Sequence, residues 1–499
     1  MDFALHFKQS LELLLPETIL LVTFVAAIIL DLIFKKSRHI GGAIALIGFV
    51  ATFISMITLD YGEGTTAFVD LMSIDAFGDF FKYLILISSF VVVIMTFFSD
   101  EMKEKAKSMG EYYTLIIGMT FGMFLLCSAS NLIMIYLAIE TMSLSSYVLT
   151  GYLKEIKRSS EASLKYVIFG ALASGVMIYG ISILFGLTGT LDLAGVQEVV
   201  SQYDGNSLAL VISGLMILMG FAYKISAVPF HYWTPDVYEG APVTITAYLS
   251  VASKAAGFAA LIRFLMAGFS ETALIAEATW ETVGAVNWQH VVAFLSIITM
   301  TFGNLAAIWQ ENAKRLLAYS SIAHAGYMLM GVVVMTELGI AAVLAYFLFY
   351  LIMNFGAFYI VMLVANKTGS EDLESYVGFG FKAPALGVFM TIFMVSLTGI
   401  PPTAGFIGKW YLFSAVLDAG WIWLAVIGVL NSVVSLYYYA KIFRNMWLRG
   451  SNNENKPVKY NPASQVLLYV LGILTLFFGL YWTPVINWAQ DSVKIFVGF

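Results

Sequence analysis

Charge is scarce in this 499-residue chain: Asp, Glu, Lys and Arg together make up 12% of it, about half the share of an average soluble domain. So few charges cannot coat a water-facing globule. The 60% hydrophobic content and mean hydropathy of +0.85 place the chain in a bilayer instead. Cysteine is nearly absent. The single Cys127, in the run TLIIGMTFGMFLLC, rules out an internal disulfide, a cysteine-ligated iron-sulfur cluster and a Cys-based zinc site. No Gly-rich dinucleotide fingerprint follows a strand-like run. No cofactor or metal is therefore expected on this chain. Long hydrophilic stretches are missing too, so no soluble domain is expected. The first apolar run has its basic cluster, KKSRH, after it and lacks a small-residue cleavage site, so it reads as a retained span.

What is present is a series of apolar runs. A hydrocarbon core needs about 20 apolar residues per helix, and such windows recur at 13–34, 40–59, 77–98, 111–129, 131–151, 162–187, 207–229, 242–267, 290–309, 315–335, 338–365, 383–417, 420–447 and 464–487. The expected fold is an all-α polytopic membrane protein of about 14 transmembrane helices. An even count puts both termini on one side. Of the 26 basic residues, 19 fall on alternate connections, among them Lys35, Lys36, Arg38, Lys103, Lys154, Lys157, Arg158, Lys314, Arg315, Lys382, Lys441 and Lys456. The intervening connections hold none and are acidic, with Asp60, Glu63, Asp70, Asp75, Asp192, Glu198, Asp204, Glu271, Glu277 and Glu281. The positive-inside rule makes the basic set cytoplasmic and both termini external.

Four ionisable residues lie deep in apolar spans: Glu140 in NLIMIYLAIETMSLSSYVLTGY, Lys224 in GLMILMGFAYKISAVPF, Lys254 in TAYLSVASKAAGFAALI and Lys409 in GIPPTAGFIGKWYLFSAVL. Each mid-bilayer charge costs roughly 2.5–3.5 kcal/mol on insertion scales, so such residues are paired or wetted and usually carry ions. Two spans are also broken by proline beside a lysine. Pro229 follows Lys224, and Pro401 and Pro402 precede Lys409 among Gly399, Gly405 and Gly408. Freed backbone groups at membrane depth must be buried in protein or face water, and broken helices carrying charge mark transport sites. The breaks are five spans apart, and five is odd, so two successive five-helix units must be inverted relative to each other. The expected division is an N-terminal three-helix segment (1–110), a first repeat (111–268), an inverted second repeat (289–448) and a C-terminal helix (449–499).

Blander readings exist for each residue. A lone intramembrane lysine can snorkel, pin two helices or satisfy carbonyls freed by a nearby proline. His324, in LLAYSSIAHAGYMLMG, is a candidate relay or a helix-helix hydrogen bond, and His231, just past Pro229, is a candidate relay or an interfacial residue. The tryptophans near span ends, such as Trp309 and Trp421, need no role beyond the aromatic belt.

The strings SSEASLKYVIFGALASGVMIYG, SAVPFHYWTPDVYEGAP, SVASKAAGF, KRLLAYSSIAHAGYMLMG and GIPPTAGFIGKWYLFSAV closely resemble the subunit N family of bacterial NADH-quinone oxidoreductase, respiratory complex I, over nearly the whole chain. The G-K-W-Y ending at Lys409 is similar to this family rather than to its antiporter-like siblings. The resemblance implies that Glu140, Lys224, Lys254 and Lys409 are the family's proton-carrying residues, while family members vary at the place of His324. It implies that NADH, FMN, iron-sulfur clusters and quinone belong to partner subunits. It implies membrane and peripheral complex I subunits as partners, including a neighbouring antiporter-like subunit. The expected mechanism couples Lys224 to Glu140, whose opposite charge holds a nearby lysine protonated; without that charge, desolvation favours release. The proton then passes through Lys254 to Lys409. Two alternatives stand beside this: an Mrp-type cation/proton antiporter subunit without electron transfer, and a structural scaffold that tolerates neutral replacement of all four buried charges.

Overall fold

Backbone polar groups in a bilayer must be satisfied within the span, which leaves helices as the solution for isolated apolar runs. The computed structural model describes residues 3–34, 38–59, 64–203, 207–274, 279–284, 286–450 and 457–494. Lys35, Lys36, Asp60, Glu63, Asp204, Glu277 and Lys456 lie outside these described residues. The N-terminal segment comprises α1 (Phe3–Leu13), α2 (Leu15–Ile33), α3 (Ile40–Thr58), α4 (Ala76–Phe98) and α5 (Asp100–Lys105). Next come α6 (Gly110–Ser128), α7 (Leu132–Thr150), α8 (Lys157–Thr188), α9 (Leu193–Ser201), α10 (Ser207–Ile225), α11 (Trp233–Gly240), α12 (Val243–Tyr248) and α13 (Lys254–Gly268). A third group holds α14 (Trp288–Ile308), α15 (Ala313–Val333), α16 (Glu337–Thr368), α17 (Phe379–Lys382), α18 (Pro384–Thr398), α19 (Ala404–Asp418) and α20 (Ile422–Trp447), followed by α21 (Pro462–Leu480) and α22 (Thr483–Val493). Two antiparallel hairpins, β1 (Thr65–Ala67) with β2 (Met72–Ile74) and β3 (Ser270–Leu274) with β4 (Thr279–Thr282), close connections at one end of the bundle.

Among the described residues 13 helical spans are long and apolar enough to cross a membrane, α12 through α13 counting as one. The fourteenth expected span, 383–417, is present but divided into α18 and α19, each too short to cross alone. Three departures from expectation have local causes. A separate α1 precedes the first span, ending where Pro16 starts a new helix. The final span stops at Leu480, because Pro484 initiates α22, whose Trp488 packs on Phe80 with ring centroids 4.2 Å apart. The eighth span contains a π-helical turn, Leu249–Ser253, immediately before Lys254.

The paired helix groups carry a matching signature. Leu132 N donates to Leu191 O (2.9 Å) and Leu193 N to Ser130 O (3.1 Å); Ala313 N donates to Glu371 O (2.9 Å) and Leu373 N to Glu311 O (2.7 Å). In both, a 32-residue helix ends on a left-handed glycine, Gly189 at φ 73° and Gly369 at φ 71°, a conformation that glycine adopts without a Cβ penalty. The start of α8 shares a cavity rim with the end of α16, at Arg158 and Asn366. Asp192, four residues past the end of α8, lines a cavity with Trp280 of β4, whose N bonds to Met335 O two residues before α16. The two long helices therefore run in opposite directions, as inverted five-helix units require.

α12–α13, α15 and α16 are buried on nearly every side and form the central axis, whereas α2 and α21 turn apolar faces outward. Small residues let the axis close: a Cβ on Gly326 would lie 2.5 Å from Met300 N, and one on Gly303 would lie 2.7 Å from Ala323 N. Because backbone cannot step aside, Gly326→Ala is expected to cost ~1–3 kcal/mol through overpacking. A detergent melting assay of the purified assembly should register this as a lowered midpoint.

Candidate functional site

Lys224 stands in the last turn of α10, 1% exposed, directly before the helix breaks. The break is held by side chains. Thr234 Oγ1 donates to Ser226 Oγ (2.8 Å), Trp233 Nε1 to Tyr223 O (3.1 Å), and Val228 N reaches across to Thr299 Oγ1 of α14 (3.0 Å). Backbone groups freed by the proline are thus met by protein. The Lys224 ammonium donates to Ser143 Oγ on α7 at 3.0 Å. Ser143 is one turn from Glu140, so the lysine lies within electrostatic range of that carboxylate. Glu140 itself is only half-buried and accepts a hydrogen bond from Ser174 of α8. Lys224 and Glu140 are thus neighbours separated by a serine rather than a closed ion pair.

Lys254 opens α13 at the exit of the π turn, a backbone irregularity that often accompanies function. Its ammonium donates to Ser321 O (2.8 Å) and Ser321 Oγ (2.9 Å) on α15. One residue before Ser321, Ser320 bonds to Tyr439 of α20. The Tyr439 hydroxyl lies 3.1 Å from His324 Nε2, and His324 Nδ1 lies 2.7 Å from the Tyr346 hydroxyl of α16. His324 is therefore doubly bonded inside the axis. Beside it, the Tyr327 ring carries the Lys409 ammonium 4.6 Å from its centroid. Lys409 also donates to Thr398 O and Ser432 Oγ, both at 2.8 Å. Thr398 O belongs to the last turn of α18, so the lysine satisfies a carbonyl orphaned by the break at Gly399–Thr403. Asn304 links Tyr327 (3.0 Å) to Tyr438 (2.9 Å) and extends the polar line to α14.

Sequence and structure agree on Lys224, Lys254 and Lys409 as buried and on Pro229, Pro401 and Pro402 as lying at the breaks. Among the described residues no carboxylate lies within 4.0 Å of any of the three ammonium groups; hydroxyls and carbonyls hold them. His231 is not brought into the chain: its ring packs on Phe302 at 4.5 Å, and Nδ1 is buried with no hydrogen-bond partner among the described residues. The structure adds Ser143, Ser174, Ser320, Ser321, Tyr346, Tyr439 and Tyr327, which sequence reasoning passed over. The signal was available in SLSS, AYSS and SLYYYAK, polar clusters inside apolar spans where a hydroxyl needs a partner.

A second group of buried charges was also missed. Lys82 of α4 meets Glu17 at 2.8 Å and Asp79 at 3.5 Å. Arg263 of α13 grips Asp75 through two nitrogens (2.7 and 3.0 Å) and donates to Cys127 O (3.1 Å). The Arg263–Asp75 pair joins the N-terminal segment to the first repeat, while Lys82 ties α4 to α2 within that segment.

Residues 129–435 match the family model described as NADH:quinone oxidoreductase/Mrp antiporter, TM. A subunit N of NADH-quinone oxidoreductase from Chlorobium chlorochromatii is 43% identical over 498 residues, covering 98% of this chain and 96% of the relative. A chain of respiratory complex I from Thermus thermophilus aligns with a TM-score of 0.76 and 30% identity, over 95% of this chain and 98% of that one. A chain of the Mrp complex from Dietzia shares the fold, with a TM-score of 0.80 at 20% identity over 97% of each chain. With three buried lysines inside its helical spans and that likeness along the full length, the chain belongs to the family of subunit N, the proton-translocating membrane subunit of NADH-quinone oxidoreductase.

Proposed function

We propose that protons cross this subunit along Glu140, Lys224, Lys254 and Lys409, with His324 as an intermediate station between the last two. The observation that carries this reading is the set of three deeply buried lysines held by neutral hydroxyl and carbonyl groups. Such partners bind an ammonium by accepting and a neutral amine by donating from a hydroxyl, so each site tolerates both protonation states. Proline breaks beside Lys224 and Lys409 supply backbone that can face water. Hydroxyl and imidazole groups between Lys254 and Lys409 can hand a proton on through hydrogen bonds. We read the four-part division at 1–110, 111–268, 289–448 and 449–499 as one functional layout, the two inverted repeats holding the path.

The basic end of the bundle is assigned to the cytoplasm and both termini to the outer side of a bacterial inner membrane. NADH, FMN, iron-sulfur clusters and quinone are assigned to partner subunits, whose redox chemistry drives this one. Glu140 lies half-buried at an α7–α8 face that also exposes Leu137, Leu144, Leu164 and Ile168. A carboxylate toward lipid is costly, which supports a neighbouring antiporter-like subunit on this face.

Glu140→Gln keeps the shape of the site and removes its charge. NADH-driven proton uptake into inverted membranes is expected to fall severalfold with assembled complex at its normal level. Unchanged uptake would remove Glu140 from the path. The Mrp-type alternative instead requires sodium/proton exchange in the absence of NADH.

A further inference from the structure

At the basic end of the bundle, Asp236 of α11 is bonded on each oxygen. Lys165 of α8 donates to Oδ2 at 2.6 Å, and Arg315 of α15 donates to Oδ1 at 2.6 Å. The same arginine nitrogen also reaches Glu239 at 2.9 Å. Lys314, 2% exposed, holds the far end of α11 by donating to Ala241 O (2.9 Å), and pairs with Glu371 at 2.7 Å. Thus α15 grips the half-helix that follows the Lys224 break at its middle and at its C-terminal end.

The inverted repeats reveal that this grip is a special feature. The matched bonds of Leu132 and Ala313 align Ile133 and Met134 of the first repeat with Lys314 and Arg315 of the second. Helix packing at that position therefore works with apolar residues, and two cations stand only where α15 faces α11. The three helices meeting at Asp236 also carry the partners of the proton sites. Ser174 of α8 bonds Glu140, α11 leads out of the Lys224 break, and Ser321 of α15 holds Lys254. Arg315 and Ser321 are six residues apart on one helix, about 9 Å along its axis.

We infer that Asp236 and Arg315 are positioning residues that couple the two repeats, keeping α11 and α15 moving as one so that rearrangement at the Lys224 break resets the Lys254–Ser321 contact. The inference rests on the proton path proposed above. Burial alone would raise the Asp236 carboxyl, yet the hydrogen bonds from Lys165 and Arg315 hold it below the ordinary carboxylate range, so the clamp is charged at neutral pH.

The test uses the whole complex in inverted membranes, comparing Asp236→Asn, Asp236→Glu and Lys224→Ala with the unmodified protein. Assembled complex, NADH oxidation and protons taken up per NADH are read in each. Asp236→Asn should assemble normally and lose at least half of its protons per NADH, and Asp236→Glu should restore most of the ratio. An unchanged ratio in Asp236→Asn, with Lys224→Ala lowered, overturns the coupling role alone. Unchanged ratios in both variants overturn the proton path as well. If Asp236→Asn fails to assemble, Arg315→Gln decides: a lowered ratio in assembled complex supports the coupling, and a normal ratio overturns it.

Discussion

Lys254→Ala should lower NADH-driven proton uptake on the order of 100-fold, the scale on which a positioned proton donor or acceptor contributes. The lysine bridges the two repeats, sitting on α13 and bonding to the carbonyl and hydroxyl of Ser321 on α15. Removing it leaves Ser321 with its own bond to Ala318 O at 2.9 Å, so α15 keeps its local structure. The vacated space is polar, lined by that carbonyl and hydroxyl, and can admit water. Water alone does not restore a titratable group at this depth. The chain should therefore insert and assemble while proton uptake collapses, a pattern read by comparing assembled complex on native gels with uptake in inverted membranes. Uptake within twofold of normal would show that protons bypass the π turn.

The second large effect falls on stability rather than transport. Asp75→Ala strips the carboxylate from Arg263, a guanidinium 3% exposed, and deletes the N-cap that accepts from Gly78 N at 2.7 Å. Breaking a buried pair from one side typically costs ~3–5 kcal/mol, and a lost cap adds about 1 kcal/mol. That total rivals the whole stability of many domains. The variant is expected to accumulate poorly and to be missing from assembled complex. The double variant Asp75→Asn/Arg263→Met should recover most of the loss, because asparagine still caps α4 and no uncompensated charge remains. Failure of the double variant to recover would mean that the pair does more than cancel its own burial. The measurement is the amount of chain in membranes together with its melting midpoint in detergent.

Much of this was legible in the sequence, for reasons that differ by residue. The spans follow from apolar run length, and the breaks from Pro229, Pro401 and Pro402 beside lysines. The turns Thr188–Gly189–Thr190 and Thr368–Gly369–Ser370 carry the repeat openly, since each needs a left-handed residue at one place. The π turn before Lys254 has no proline or glycine within it to announce it and packs against α4 and α16. The Ser321–Lys254 and Arg263–Asp75 contacts join residues 67 and 188 positions apart, a distance over which no local pattern in one sequence carries information. Arg263 and Lys82 carry no local mark of their partners, yet each is paired and buried. His231 and His324 looked alike as lone histidines, and only the tertiary structure separates a ring packed on Phe302 from one bonded to two tyrosines.

The most direct test is proton uptake per NADH oxidised in inverted membranes carrying Lys224→Ala, with quinone-reductase activity and assembled complex measured in parallel. The proposed path predicts normal assembly with coupled activity and proton uptake both falling sharply. Normal assembly with both at the unmodified level would contradict it and turn attention to sodium/proton exchange.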